Sequence, residues 1–437
     1  MKEYSQKKGL KSREVALEIF SEVTNSRTTF DEAMARNLKF PNLDLKDRAF
    51  VHLLVAVTLR HRGQLDMLVK GYLKHALPKR ANLINNILQL GAAQLLFLKS
   101  PPHAVVDTAV LMCRKFPGQK GLVNAILRKI SLVGIEKLNE IDIKFNTPRW
   151  LWENWLQHYG EKNAREIAIA HTIEPPLDIT VMSNPDFWAE KLKGNIQSGN
   201  TVRLKKKGDI TRLPGFKEGK WWVQDYAASL PAKILLSMLP QNGKDLKILD
   251  LCAAPGGKTA QLALSGAIVT AVDKSSKRMQ ILKDNMKRLN LSVDTIMADA
   301  RVWSPKELQN GVLLDLPCSS TGVIRRHPEL PLKKSLKEIN KMSEIQIEIT
   351  KNALNMLNVE GILVYSVCSL QKEEAEDVIY KVMSECKGVS PVPIEVSAPG
   401  KPVIVGKVKA GFRTKPSDNK KQGGMDGFFI FALRRNF

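Results

Sequence analysis

The chain has no C-x-x-C pair. Its five cysteines stand apart at positions 113, 252, 318, 368 and 386. That spacing gives no zinc site and no disulfide framework, so no metal is expected. An odd set of scattered thiols fits a reducing compartment, and the expected location is the cytoplasm. Long apolar runs are also missing. The longest, Leu83 to Leu98, carries Asn85, Asn86, Gln89 and Gln94, too short and too polar to cross a bilayer. Met1-Lys2-Glu3-Tyr4-Ser5 opens no apolar signal segment, and no membrane partner is expected. No internal repeat is visible. Acidic residues are in short supply: 44 Asp and Glu face 67 Lys and Arg, a net charge of +23. Lys and Arg gain by displacing phosphate counterions, so RNA or DNA is the partner this excess favours. A generally basic surface is the other explanation that charge alone leaves open.

The 437 residues are enough for two or three domains, and the pattern changes twice. Residues 1–135 read as a compact all-α module. Val15, Ala16, Ile19 and Val23 recur at helical spacing, as do Leu53, Val57 and Leu65, then Leu83, Ile87, Leu90, Gln94 and Leu98. Pro101-Pro102 stops one helix and starts another through Val105, Ala109 and Met112. A last helix is expected over Leu122 to Ile130. Arg13, Arg36, Arg48, Arg60, Arg62 and Arg128 are mostly spaced rather than clustered, and most of them read as solvated faces. Residues 136–215 form a small α+β region. Trp150, Trp152, Trp155 and Tyr159 fall on a helix and read as core before base-stacking platforms. Leu177 to Met182 alternates like a strand. Arg203 to Lys207 is a basic run that fits a phosphate track or a solvated loop. Residues 216–437 alternate strands and helices, the mark of a doubly wound α/β sheet. Strands are expected near 247–251, 268–272, 294–297, 311–315, 361–367 and 428–433, with a mobile Lys-rich loop over 411–424.

Asp250 ends the first of those strands, and Leu251 to Thr259 (LCAAPGGKT) leads into a helix through Gly256-Gly257. Glycines there let backbone N–H groups approach a ligand closely. A P-loop would need glycine at 252, which is Cys, and the G-x-G-x-x-G dinucleotide loop is absent. Asp273 follows at the end of the next strand, placed to accept from ribose hydroxyls. Asp299, at the end of the third, can reach an adenine ring. A strand-end series of acids (Asp250, Asp273, Asp299, Asp315) suits a cationic cofactor with a ribose and no phosphates, such as S-adenosylmethionine.

Two further cysteines stand at the C-terminal ends of apolar runs. One lies in Leu313-Leu314-Asp315-Leu316-Pro317-Cys318-Ser319, the other in Val364-Tyr365-Ser366-Val367-Cys368-Ser369. A lone Cys at a strand end is usually a small core hydrophobe. Two of them, each followed by Ser at the mouth of one sheet, point to chemistry. C5 of cytosine is a weak nucleophile until a thiolate adds to C6, and Asp315 can hold the ring's N3 edge during addition. Cys113, Cys252 and Cys386 read as packing residues, Cys252 beside the cofactor loop.

With these residues the chain resembles the Sun-type RNA cytosine-C5 methyltransferases, and more narrowly the bacterial RsmB group acting on 16S ribosomal RNA. The matching stretches include Val223-Gln224-Asp225, Asp250 to Thr259, Asp273 with Arg278, Asp299-Ala300-Arg301, Asp315-x-Pro317-Cys318-Ser319-x-Thr321-Gly322, Arg326-His327-Pro328-Glu329, Tyr365-Ser366-x-Cys368-Ser369 with Glu373-Glu374, and Asp426-Gly427-Phe428-Phe429. Asp47-Arg48-Ala49-Phe50, Gln89 to Leu95 and Val123 to Arg128 are similar to the NusB-like helical RNA-binding domain fused to that group. Leu316 and Ser320 stand where small residues are usual, and Val367 where Thr is usual.

The resemblance implies a Rossmann-like α/β S-adenosylmethionine-dependent methyltransferase domain (216–437), preceded by an all-α NusB-like domain (1–135) and a small α+β linker region (136–215). It implies Cys368 as the nucleophile and Cys318 as the group for product release, with Asp315 and Lys258 also catalytic. The implied cofactor-binding residues are Cys252, Ala253, Ala254, Pro255, Gly256, Gly257, Lys258, Asp273, Arg278, Asp299 and Asp315. The expected partner is 16S ribosomal RNA, and the expected state a monomer. A tRNA substrate stays open. So does a non-catalytic RNA-binding scaffold, which would be expected to lose a cysteine or the Gly-Gly loop. A DNA cytosine methyltransferase would not require Cys368.

Overall fold

The computed structural model describes every residue except 1, 76, 79, 80, 206, 207 and 241–244, with residues 2–8 described by backbone alone. The chain divides into two compact units. One comprises 1–173 with 324–333, the other 174–323 with 334–437.

Among the described residues the first unit is helical: α1 (Lys2–Asn25), α2 (Phe30–Arg36), α3 (Leu45–Arg60), α4 (Arg62–Gly71), α5 (Asn82–Leu96), α6 (Pro102–Met112), α7 (Lys120–Glu140) and α8 (Arg149–Thr172). The residues read as a helical stripe, Val15, Ala16, Ile19 and Val23, are fully buried and pack with Val51, Leu54, Ile84, Ile87 and Leu127. Helix starts follow local chemistry. Thr29 and Glu32 form a reciprocal capping box on α2, and Pro102 occupies the first turn of α6. The last expected helix runs past Ile130 to Glu140 because Leu138 continues its buried face.

Three of these arginines depart from the expected solvated faces. Arg13 donates to buried Gln94 at 2.7 Å, Arg48 to the Leu43 carbonyl at 2.9 Å and Arg60 to the Arg325 carbonyl at 3.3 Å. Side-chain and backbone acceptors within the unit recruit these cations, while Arg36 and Arg128 remain exposed. On α8, Trp155 is fully buried, and Trp150, Trp152 and Tyr159 are half-buried. The segment 324–333 is part of this unit: Arg325 is buried, and Glu329 accepts the Phe30 N–H at 3.3 Å.

The second unit opens with a small sheet built from β1 (Leu177–Val181), β2 (Gly194–Ser198), β3 (Thr201–Leu204) and β4 (Trp221–Val223), in the order β2-β3-β1-β4, with α9 (Pro185–Lys191) between β1 and β2. Arg203 does not belong to an exposed basic track. It is buried, forms a two-pronged ion pair with Asp178 at 2.7 Å, and donates to the carbonyls of Gln422 and Gly424. Lys206 and Lys207 of the same run lie outside the described residues.

Next come α10 (Tyr226–Met238), β5 (Lys247–Leu251), α11 (Gly257–Leu264), β6 (Ile268–Asp273), α12 (Ser276–Leu289), β7 (Asp294–Met297), β8 (Gln309–Asp315), α13 (Leu336–Leu354), β9 (Leu357–Val367), α14 (Glu376–Glu385), β10 (Val389–Val392), β11 (Lys401–Val405), β12 (Val408–Thr414) and β13 (Phe428–Arg435). The large sheet runs β11-β12-β13-β9-β8-β5-β6-β7, with β10 also paired to β13. Strands β5 to β9 are parallel to their neighbours, and β13 returns antiparallel beside β9. All six expected strands of this sheet are present. The loop expected over 411–424 is strand as far as Thr414, because Gly411 to Thr414 pair with Phe428 to Phe431. Strands β10 and β11 were not legible in the pattern.

This is the expected Rossmann-like arrangement. The chain leaves β5 first toward β6 and β7, then crosses back to β8 and β9. At that reversal the C-terminal ends of β5 and β8 part into a crevice, the usual ligand position in such sheets.

Candidate active site

The crevice holds a cavity of about 360 Å³, within the range of small-molecule sites. Cys252, Asp273, Arg278, Asp299, Asp315, Cys318, Ser320, Met342 and Cys368 are among its lining residues. Ala253, Ala254, Pro255, Gly256, Gly257 and Lys258, also expected at the cofactor, form the loop behind this lining.

That loop is held by hydrogen bonds. Ala253 donates to the Val272 carbonyl at 3.1 Å. The Asp273 carboxylate accepts the N–H of Ala254 at 3.2 Å and of Ser275 at 2.9 Å. Arg278 approaches Asp273 at 3.4 Å and donates to the Ala254 carbonyl. Gly256 caps α11 with φ +100, where a side chain would be strained. Asp250, fully buried at the end of β5, accepts from Thr259 Oγ1 at 2.6 Å through one oxygen, and its other oxygen has no partner. Burial pushes its pKa up to about 7. Burial also pushes the Cys252 thiol up to about 12. Asp299 is held down to about 2 by hydrogen bonds from Arg301.

Register brings the two cysteine segments together. In the parallel β8–β9 pair, Asp315 stands opposite Ser366. Cys318 therefore leaves the end of β8 next to Cys368 at the end of β9. The two sulfurs lie 3.5 Å apart. Ser320 Oγ is 3.6 Å from Cys368 Sγ and 3.9 Å from Cys318 Sγ. Lys258 Nζ, buried over the Phe428 ring, pairs with Asp315 at 2.8 Å. Gly322 carries the first loop against the backbone near β13: a Cβ there would lie 2.0 Å from the Gly427 carbonyl oxygen. The Gly427 N–H donates to the Gly322 carbonyl at 2.8 Å.

The thiols differ. The hydrogen bond from Cys318 lowers the pKa of Cys368, aided by Ser320 and Lys258 and opposed by burial and Asp315. Cys318 is raised well above the usual thiol value by its bond to Cys368, by burial and by the carboxylate of Glu374. Of the two thiols, Cys368 is therefore the more acidic and Cys318 the less.

Glu374 is a buried acid beside the two thiol loops that position alone did not single out. Completely buried, it accepts the Ser319 N–H at 2.7 Å, the Ser369 hydroxyl at 2.6 Å and Gln346 Nε2 at 3.4 Å. The quoted Glu373-Glu374 pair was the available signal, but its partners lie on three other segments. Among the described residues no cluster of metal-ligating side chains occurs, and no helix is long and apolar enough to cross a membrane.

Comparison with known proteins gives concordant matches. The family model described as 16S rRNA methyltransferase RsmB/F matches residues 235–434, and the NusB family model matches 10–132. Ribosomal RNA small subunit methyltransferase B of Klebsiella pneumoniae is 32% identical over 413 residues, 90% of this chain and 91% of that protein. The protein of the same name from Pseudomonas syringae pv. tomato is 31% identical over 449 residues, 96% of each chain. Among solved structures, PH0851 matches with a TM-score of 0.75 at 23% identity, covering 98% of this chain and 99% of its own. NSun6 from Pyrococcus horikoshii with SFG matches with a TM-score of 0.57 at 22% identity, covering 66% and 98%. These two likenesses bear on the fold.

Proposed function

The chain belongs to the RsmB/F family of 16S rRNA methyltransferases, and from that premise we propose that it methylates C5 of a cytosine in 16S ribosomal RNA through a covalent bond between Cys368 and C6. It is an S-adenosylmethionine-dependent enzyme. The observation that carries the covalent reading is the pair of thiols 3.5 Å apart, unequal in acidity, at the wall of an acid-lined cavity.

The residues present fit the cofactor. The carboxylates of Asp273, Asp299 and Asp315 at the cavity wall suit a cation, and no phosphate-binding signature competes with them. Cys252 to Lys258, Asp273, Arg278, Asp299 and Asp315 would hold it. When bound, it supplies an electrophilic methyl group. The chain's own residues prepare the base. Cys368 Sγ forms a bond to C6, and the C5–C6 π pair becomes available at C5. Asp315, itself anchored by Lys258, holds the N3 edge through the neighbouring exocyclic amine, whose N4–H donates to its carboxylate. After methylation the C5 proton passes to water, the C5–H electron pair restores the C5–C6 double bond, and the C6–S bond breaks with its pair returning to Cys368 Sγ. Cys318 is assigned to that release.

The NusB-like module, taken as 1–135, supports ribosomal RNA over tRNA as substrate. The segment 136–215 is read as a linker region. A monomer in the cytoplasm is the corresponding state. The scaffold reading has less support, because both cysteines and the Gly-Gly loop are retained. Bisulfite sequencing of total RNA from a strain lacking this protein tests the proposal. Loss of one 5-methylcytosine in 16S rRNA is expected. Loss in tRNA would move the substrate, and an unchanged profile would remove the activity.

A further inference from the structure

We propose that Ser320 is a catalytic residue of this chain, whose hydroxyl donates the hydrogen bond that holds the Cys368 sulfur as the attacking thiolate. The proposal rests on the reading of Cys368 as nucleophile and adds a group to it.

Two independent observations carry it. The first is position. Ser320 lines the cavity, and its Oγ lies 3.6 Å from Cys368 Sγ and 3.9 Å from Cys318 Sγ. Among the described contacts, these sulfurs are the only side-chain partners of the hydroxyl. A serine hydroxyl rotates to suit its partner. It accepts from the neutral thiol, then turns and donates to the thiolate. The second observation is backbone conformation. Ser320 has φ +60, a left-handed conformation that glycine adopts freely and serine does not. Strain of this kind persists at functional sites. A position built for glycine that carries a hydroxyl aimed at two sulfurs has exchanged some stability for a polar contact.

The groups around Cys368 are consistent with that assignment. Lys258 favours its thiolate, while Asp315 and burial oppose it. Cys318 is the weaker acid of the pair, raised by its bond to Cys368, by burial and by the charge of Glu374. Arg413 is committed to the Ser369 carbonyl at 3.1 Å. Ser320 supplies the second donor that a half-buried thiolate needs.

The test uses the full-length protein and its Ser320→Ala and Ser320→Gly variants. Alkylation of Cys368 by iodoacetamide is followed by mass spectrometry from pH 6 to 10, with no RNA or cofactor present. Both variants should shift the Cys368 profile upward by about one unit, roughly a tenfold slower reaction at neutral pH. Ser320→Gly should in addition melt at a higher temperature than the parent, because it relieves the strain, whereas Ser320→Ala should not. An unchanged profile in Ser320→Ala, or a shift confined to Ser320→Gly, would overturn the proposal. A separate methyl-transfer assay on Cys368→Ala keeps the two readings distinct. Transfer retained in that variant would end the nucleophile reading, and with it the catalytic standing of Ser320, even with the alkylation shift intact.

Discussion

Glu374 accepts the backbone N–H of Ser319 at 2.7 Å although 55 positions separate the two residues. Ser319 follows Cys318, and the same carboxylate accepts from Ser369, which follows Cys368. One buried acid thus ties together the two loops that present the thiols. Tyr365 packs over the same corner and donates to the Glu374 carbonyl at 2.6 Å.

Replacing that acid should be costly. Glu374→Ala leaves at least two buried donors without an acceptor, and each such loss is worth about 1–3 kcal/mol. Urea unfolding should show a stability loss of about 3 kcal/mol, and methyl transfer should fall with it. Glu374→Gln should lie between the two, since an amide oxygen can keep one donor. Wild-type stability in Glu374→Ala would refute the tie.

Asp250 governs a pH window. Its folded pKa is raised to about 7 by burial, from an ordinary 3.8. The folded state therefore binds this proton more tightly than the unfolded chain. The contribution to stability is complete below about pH 4 and is lost as pH rises through about 7. Asp250→Asn cannot titrate, and its stability between pH 5 and 8 should be flatter than the parent's. Chemical denaturation at a series of pH values reads this directly; parallel curves would contradict it.

Asp273 has a structural task beside its expected ribose contact, because it accepts the N–H of Ala254 and of Ser275. Asp273→Ala should weaken S-adenosylmethionine binding by about thirty- to a thousandfold, the equivalent of two charge-assisted hydrogen bonds. It should also lower stability by about 1–3 kcal/mol, since the Ala254 N–H loses its acceptor. Calorimetric titration and thermal unfolding separate the two effects. Unaltered affinity would remove Asp273 from the cofactor site.

The two cysteines should fail differently. Cys368→Ala forms no C6 adduct, so methyl transfer should vanish while cofactor affinity stays near the parent's. Cys318→Ala can still form the adduct but resolves it slowly, and should accumulate a denaturant-resistant protein–RNA band. The double variant should show none. A band that persists in Cys368→Ala and requires Cys318 would reverse the roles.

Sequence alone determined the parts whose signals are local. The strands from β5 to β9 were legible because continuous apolar runs end in Asp or Cys, and the helices of the first unit because Val15, Ile19 and Val23 repeat at helical spacing. The loop from Cys252 to Gly257 and both cysteine motifs were legible as strings of residues. Tertiary structure decided what depends on partners far along the chain. Arg203 read equally as a phosphate contact or as part of a solvated loop until Asp178 claimed it in a buried pair. Arg13 and Arg60 looked solvated until Gln94 and the Arg325 carbonyl recruited them. Gly411 to Thr414 looked like loop because their strand identity comes from pairing with β13, not from their own composition. Pairing register likewise set the 3.5 Å between Cys318 and Cys368. A thiol's type and its place at a strand end are properties of a short string. Its acidity depends on which donor, carboxylate and cation the fold brings beside it, and only the folded chain supplies those.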